Sequence, residues 1–146
     1  MSWKTLAAQQ PELATFGVAR LHGQVSYLAT IRADGSPRLH PMTPIIGAGR
    51  LFVFMEPTSP KGLDLQRDGR YAIHCAVSDN SGESGEFGIS GRAQLTSGAE
   101  TRRVAVAHAT YPVADRYVLY EFEIASASAT TYPDGKAMRR NWKAAV

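Results

Sequence analysis

The feature that most constrains the fold is Asp34-Gly35, set between two runs that alternate with a period of two. Val25-Ser-Tyr-Leu-Ala-Thr-Ile31 precedes it and Pro37-Arg-Leu-His-Pro-Met-Thr-Pro-Ile-Ile46 follows. An Asp-Gly turn between such runs specifies an antiparallel hairpin, because its positive φ angles match the twist of the flanking strands. Gly47-Ala-Gly-Arg50 is a second turn and Leu51-Phe-Val-Phe-Met55 a third strand, so the pattern is a meander. Pro41 and Pro44 each remove a ladder donor, which makes the second arm an edge, a bulge, or a stretch whose backbone serves something other than a ladder.

The same punctuation continues. Strands are expected over Tyr71 to Val77, Phe87 to Leu95 and Tyr117 to Ile124, followed by the segment Ala127 to Tyr132 and a final strand or tail ending at Trp142, with Asp68-Gly69, the polar loop Asp79 to Gly85, and Pro133-Asp-Gly-Lys136 as breaks. Three short helices are expected: Pro11 to Leu21 as a lid, with Leu13, Phe16, Gly17 and Leu21 on one face, then a segment from Ser59-Pro60 to about Asp68, then Gly98 to Ala109. Six or seven strands joined by tight turns predict a mainly β fold, a small antiparallel barrel with two or three short helices rather than βαβ units. The 146 residues read as one domain, 1–146. A chain of that length buries roughly 68 to 70% of its unfolded surface, so no disulfide or metal is needed to fold it.

Hydrophobic residues at 44% and charged residues at 20% exclude a disordered chain. Sixteen Lys and Arg against 13 Asp and Glu leave +3 with no basic run, which argues against nucleic acid as the main partner and is compatible with a small anionic ligand. Cys75, the one cysteine, cannot form an internal disulfide and reads as a buried small hydrophobe. The first ten residues lack an apolar signal core and no window approaches 18 apolar residues, so the expectation is a soluble cytoplasmic protein without a membrane partner. His22, His74 and His108 have no ligand-type spacing, so no metal site is expected. No nucleophile triad or paired-carboxylate pattern stands out, and no catalytic residue is identified.

The most informative short stretch is Thr58-Ser-Pro-Lys-Gly-Leu-Asp-Leu65. Ser59 suits an N-cap and Pro60 the first helical position. Lys61 then falls in the first turn, where the positive end of the helix dipole disfavours a cation by about 0.3 to 1 kcal/mol. Either Lys61 points into water, or an anion joins the ammonium, the hydroxyl and the free amides of the helix start in a phosphate site.

Taken together, Leu28 to Met42, Leu51 to Met55, Ser59-Pro-Lys61 with Leu65, Arg70-Tyr-Ala-Ile73 and Phe87-Gly-Ile-Ser-Gly-Arg-Ala93 resemble the flavin-binding split-barrel family named after pyridoxamine 5′-phosphate oxidase. The resemblance covers roughly residues 25 to 95. It implies an antiparallel split barrel that forms a homodimer, with FMN held at the subunit interface. By position it implies that Ser59 and Lys61 bind the cofactor phosphate, that Arg38 and His40 lie toward it, that Pro41, Met42 and Thr43 run beside the flavin ring, and that Phe54 and Met55 contact it. Pro60 stands where relatives often have an Arg and Glu86 where a Gln can reach the flavin. Trp142 is either a wall of the pocket or the anchor of a basic tail, while Phe54, Met42 and Met55 equally suit the barrel core. The Arg-x-His motif of true pyridoxamine phosphate oxidases is absent. The implied function is an FMN-dependent oxidoreductase acting on a small organic substrate, with NAD(P)H or a similar donor. The alternatives are the deazaflavin F420, for which Arg38, Arg139 and Arg140 would serve the longer tail, and a non-catalytic flavin or haem binder using His40 or His74.

Overall fold

The computed structural model describes residues 1–145. The hairpin forms at Asp34-Gly35, but of the two residues only Gly35 takes a positive φ. Gly35 has φ of 86°, and its amide donates to the Arg32 carbonyl at 2.9 Å. This joins β1 (Ser26–Ile31) to β2 (Pro37–Met42), with Leu28 opposite His40. The arm expected to run from Pro37 to Ile46 is broken in two, because beyond Thr43-Pro44 the chain enters β3 (Ile45–Gly47), which pairs with β4 (Arg50–Met55) instead of β1. Proline has no amide with which to continue the first ladder.

The chain continues through α3 (Pro60–Arg67), β5 (Arg70–Cys75), β6 (Glu86–Thr96), α4 (Ala99–His108), β7 (Val118–Thr131), a single 3₁₀ turn at Pro133–Gly135 and β8 (Met138–Lys143). All eight strands belong to one antiparallel sheet in the order β2-β1-β5-β6-β7-β4-β3, with β8 added to β7. The count exceeds the expected six or seven. β3 separates from β2 at Pro44 and the last segment is a true strand, while the strand expected over Tyr117 to Ile124 continues on as the single strand β7 of 14 residues. One edge of β7 pairs with β6, and its other edge is shared, Val118 to Glu121 with β4 and Ser126 to Thr131 with β8. The register shifts between Ser90 and Gly91, where Ala125 of β7 is the extra residue. A side chain at residue 91 would put its Cβ 2.1 Å from the Glu123 carbonyl oxygen, so only glycine lets the strands stay paired there.

Inside the curled sheet lie Leu28, Ile73, Phe87, Phe122 and Ile124, each no more than 1% exposed. Burying each such side chain is worth about 1.5 to 3 kcal/mol. One end of this core is covered by α1 (Trp3–Gln9) and α2 (Pro11–Leu21), through Trp3, Leu6, Leu13 and Leu21. The sequence reading did not include α1, whose seven residues give too short a periodic signal. A second apolar cluster lies on the other side of the sheet, where Ala105 of α4 covers Ile45, Phe52, Phe54 and Leu119. Cys75 is buried, and its Sγ accepts from the Phe87 amide at 3.2 Å. The sheet path begins at β2 and ends at β3, which Thr43 and Pro44 separate and no pairing joins.

Candidate cofactor site

Alternation along β2 decides what faces the split. Leu39 and Pro41 are exposed on the outer side, while Arg38, His40 and Met42 are turned inward. The start of α3 lies against this inner side. Ser59 occupies the N-cap position, but its hydroxyl makes no capping bond, which corrects the expectation of a side-chain cap. That hydroxyl instead accepts from the Lys61 ammonium at 3.1 Å. The first turn therefore keeps its amides free of side-chain partners, with Pro60 contributing no amide at all.

Two anchors hold this helix start in place. The Tyr120 hydroxyl donates to the Gly62 carbonyl at 3.0 Å and accepts from Gln66 Nε2 at 2.9 Å. One turn on, Asp64 is 3% exposed. It accepts from Thr30 Oγ1 at 2.8 Å, Arg38 Nε at 2.7 Å and an Arg67 nitrogen at 3.0 Å. Burial alone would push the Asp64 carboxyl up; the hydrogen bonds from Arg38, Thr30 and Arg67 outweigh it and hold the group below its ordinary value. Arg38 thus spends its Nε on Asp64.

Lys61 is half-buried, its one side-chain hydrogen bond among the described residues is to Ser59, and burial lowers its pKa. His40 is lowered too, by burial first and then by the charges of Lys61 and Arg38. An anion at this helix start would offset the burial cost of the Lys61 ammonium and favour the protonated form of His40 beside it.

Beside Lys61 opens a cleft of about 280 Å³. Pro41, Met42 and Thr43 form one wall, and Phe54, Met55 and Glu56 form another. Sequence reasoning missed the third wall, Tyr111 and Tyr117, which come from the α4–β7 loop. Neither lies within a motif, and only the packing of this loop over Phe54 brings them in.

The remaining expected residues are placed as follows. Phe54 is 8% exposed and belongs to the cluster under α4, with the Arg102 guanidinium 5.1 Å from its ring centre, so it is core on one side and cleft wall on the other. Met42 and Met55 are also part of the barrel core. Trp142 lies in the core, where its Nε1 donates to Gln9 at 2.7 Å, and it does not line the cleft of its own chain. Glu86 is exposed at the end of β6 opposite Thr96, the residue that leads through Leu119 to Phe54. Arg139 and Arg140 are exposed on β8, the latter paired with Glu12. His74 is exposed on the outer face of the sheet, with Nδ1 2.7 Å from the Cys75 carbonyl oxygen. His22 accepts from the Ile46 amide at 2.9 Å, and the His108 ring packs over Gly47. Among the described residues, no group of three or more His, Cys, Asp or Glu side chains is placed to hold a metal ion, and no helix is long and apolar enough to cross a membrane.

Neither family models nor curated protein sequences match this chain. Solved structures do match its fold. A heme binding protein from Mycobacterium smegmatis superposes with a TM-score of 0.71 at 17% identity, over 90% of this chain and 57% of that one. A NimC/NimA family protein from Clostridium acetobutylicum gives 0.67 at 17% identity over 95% and 96%. A general stress protein 26-related protein of the pyridoxinephosphate oxidase family, also from Clostridium acetobutylicum, gives 0.63 at 11% identity over 96% and 95%. The chain has the split-barrel fold of the pyridoxamine 5′-phosphate oxidase-like proteins. This chain spans little more than half of the Mycobacterium smegmatis protein, and that fold carries haem binders as well as oxidases.

Proposed function

We propose that this chain holds FMN in the cleft between β2, β4 and the start of α3, and acts as an oxidoreductase on a small organic substrate with NAD(P)H or a similar donor. The observation that carries the reading is Lys61, a half-buried ammonium without a carboxylate partner among the described residues, at a helix start that no side chain caps. A phosphate monoester satisfies that ammonium, the Ser59 hydroxyl and the amides of Lys61 and Gly62 together. The lining fits FMN in a second respect. From residue 38 to residue 42, about 13 Å at about 3.3 Å per residue, the inner side changes from Arg38 and His40 to Met42. That gradient suits a ligand charged at one end and flat and apolar at the other. Bound FMN supplies the electron chemistry, and the protein binds the phosphate, orients the ring and excludes water.

Of the alternatives, F420 needs more cations for its longer tail. Arg38 is tied to Asp64, and Arg139 and Arg140 lie on β8 away from the cleft, which favours FMN. Haem binding is the second reading, supported by His74. With Nδ1–H given to the Cys75 carbonyl, Nε2 carries the free lone pair that a metal ligand needs.

The proposal includes a homodimer. Register sets Pro41, Tyr27, His74, Gly88, Ser128 and Asn141 side by side across six strands, with Leu39, Ala29, Ala72, Ser90 and Ser126 in the adjacent row. Across β1, β5, β6 and β7 these two rows carry no Asp, Glu, Lys or Arg, and the Pro41 at their margin also lines the cleft. A second copy on this face covers the open side of the cofactor site.

The test is a titration of the apo protein with FMN. Lys61→Ala is expected to remove a charge-assisted contact of about 1.5 to 3 kcal/mol, roughly 10- to 150-fold in Kd. Equal affinities would refute the phosphate assignment, and an absorption band near that of haem in the purified protein would favour His74.

A further inference from the structure

The loop from Ala109 to Tyr117 has no role in the phosphate site, yet it is fixed more firmly than a connection between α4 and β7 requires. Arg102 of α4 donates to three of its carbonyl oxygens, Tyr117 at 2.7 Å, Ala114 at 3.1 Å and Asp115 at 3.2 Å, while its guanidinium packs on the Phe54 ring. At the far end, Arg116 forms a two-pronged pair with Glu56, with contacts of 2.6 to 3.1 Å, and lies over the Tyr117 ring at 5.1 Å. Glu56 directly follows β4, so this pair ties the loop to the strand that forms the neighbouring wall. Tyr111 and Tyr117 are thereby held in the cleft, each partly buried. Burial pushes the Tyr111 hydroxyl up, against a hydrogen bond with the Phe54 backbone.

A surface loop that merely closes a connection has no need of two phenols turned into a cleft, or of an arginine spending three hydrogen bonds to keep them there. Fixed aromatic walls lose little side-chain entropy when a flat ligand packs on them. We infer that Tyr111 and Tyr117 are the ring-facing wall of the ligand site, that they lie in contact with the conjugated ring system of the bound cofactor, and that Arg102 is the positioning residue that sets them. This rests on the FMN reading above. It adds a third wall supplied by the same chain, opposite Pro41, Met42 and Thr43, and it makes the cleft selective for flat conjugated rings over aliphatic phosphate esters.

Contact has an optical consequence. An electron passes from a phenol to a photoexcited flavin ring within contact distance and then returns, so the excited state decays without emitting light; a phenyl ring donates no such electron. The experiment uses the full chain saturated with FMN, comparing wild type with Tyr111→Phe, Tyr117→Phe and the double variant. Wild-type bound FMN is expected to be strongly quenched relative to free FMN. Compared at saturating FMN, whatever its Kd, the double variant is expected to recover emission several-fold. Arg102→Gln is expected to recover part of the emission by releasing the loop. Bound FMN that stays equally dark in the double variant overturns the inference and leaves the Lys61 reading standing. Failure of wild type to bind FMN at all overturns both, and a riboflavin control separates ring recognition from phosphate recognition.

Discussion

Two charged residues of α3, three positions apart, have opposite thermodynamic roles. Asp64 is a buried carboxylate whose pKa is held down by Arg38, Thr30 and Arg67 against the effect of burial. A depressed carboxyl contributes stability that is present above its unfolded pKa and is lost as pH falls through the folded one. Asp64→Ala, which leaves two guanidinium groups and a hydroxyl without their acceptor, is expected to cost about 3 kcal/mol at neutral pH, and the gap to wild type should narrow below about pH 4. Urea melts at pH 7 and pH 3 check both parts. Lys61 shares that direction of pH dependence but not the sign of its contribution at neutral pH, where folding disfavours its charged form. Burial lowers its pKa, so the unfolded chain holds this proton more tightly and stability rises as pH climbs through the depressed value. Removing the ammonium therefore should leave the apo protein as stable as wild type or more so at pH 7, while FMN raises the melting temperature of wild type more than that of Lys61→Ala. That pair of results would assign Lys61 to binding.

At the scale of elements, the site depends on how closely α3 sits on β7. Gly62 touches the Tyr120 hydroxyl, and a Cβ there would lie 2.8 Å from it. That hydroxyl is pinned by Gly62 and Gln66, so it cannot swing aside without losing a bond. Gly62→Ala is expected to destabilise by about 1 to 3 kcal/mol through overpacking. The displaced helix start carries Lys61 and Ser59 with it, so FMN affinity should fall although residue 62 contributes no side chain to the site. Tyr120→Phe in the Gly62→Ala background gives the alanine room and should recover part of the affinity; no recovery would show that the close approach does not set the site. β7 likewise serves two purposes, because one 14-residue strand supports β4 at the cleft and β8 at the far end.

For the whole molecule, the question is what covers the outer face of β1, β5, β6 and β7. Two adjacent rows without a charged residue, with Leu39 68% and Tyr27 42% exposed at their margin, are suited to a second copy. Ser90→Arg puts a charge at its middle, on a strand position with no core contact, and is expected to convert a dimer at micromolar concentration into monomers and to lower FMN affinity with it. Light scattering and titration of the same samples check this; a monomeric wild type that binds FMN tightly would refute the shared site. The haem reading makes a competing demand on this surface, since His74 lies in it.

The hairpin, the strand positions and the start of α3 were legible because each is decided locally. Gly35 supplies the positive φ of the hairpin turn, alternation needs one buried face, and Pro60 after Ser59 has its φ already set for a first helical turn. For the proposed phosphate site, the helix start offered Ser59 and Lys61 as one of two readings, and the run from Arg38 to Thr43 entered only through resemblance. What the sequence could not determine lies in contacts between residues far apart in the chain. Asp64 claims Arg38 across 26 positions, Trp142 anchors β8 on α1 and not on the cleft, and Arg102 on α4 binds the loop whose Tyr111 and Tyr117 line a cleft begun at Pro41. Local propensity fixes which elements form, because it is a property of adjacent residues. Which side chains meet at the split was decided by the tertiary structure, because Pro44 breaks the ladder and leaves its closure to packing.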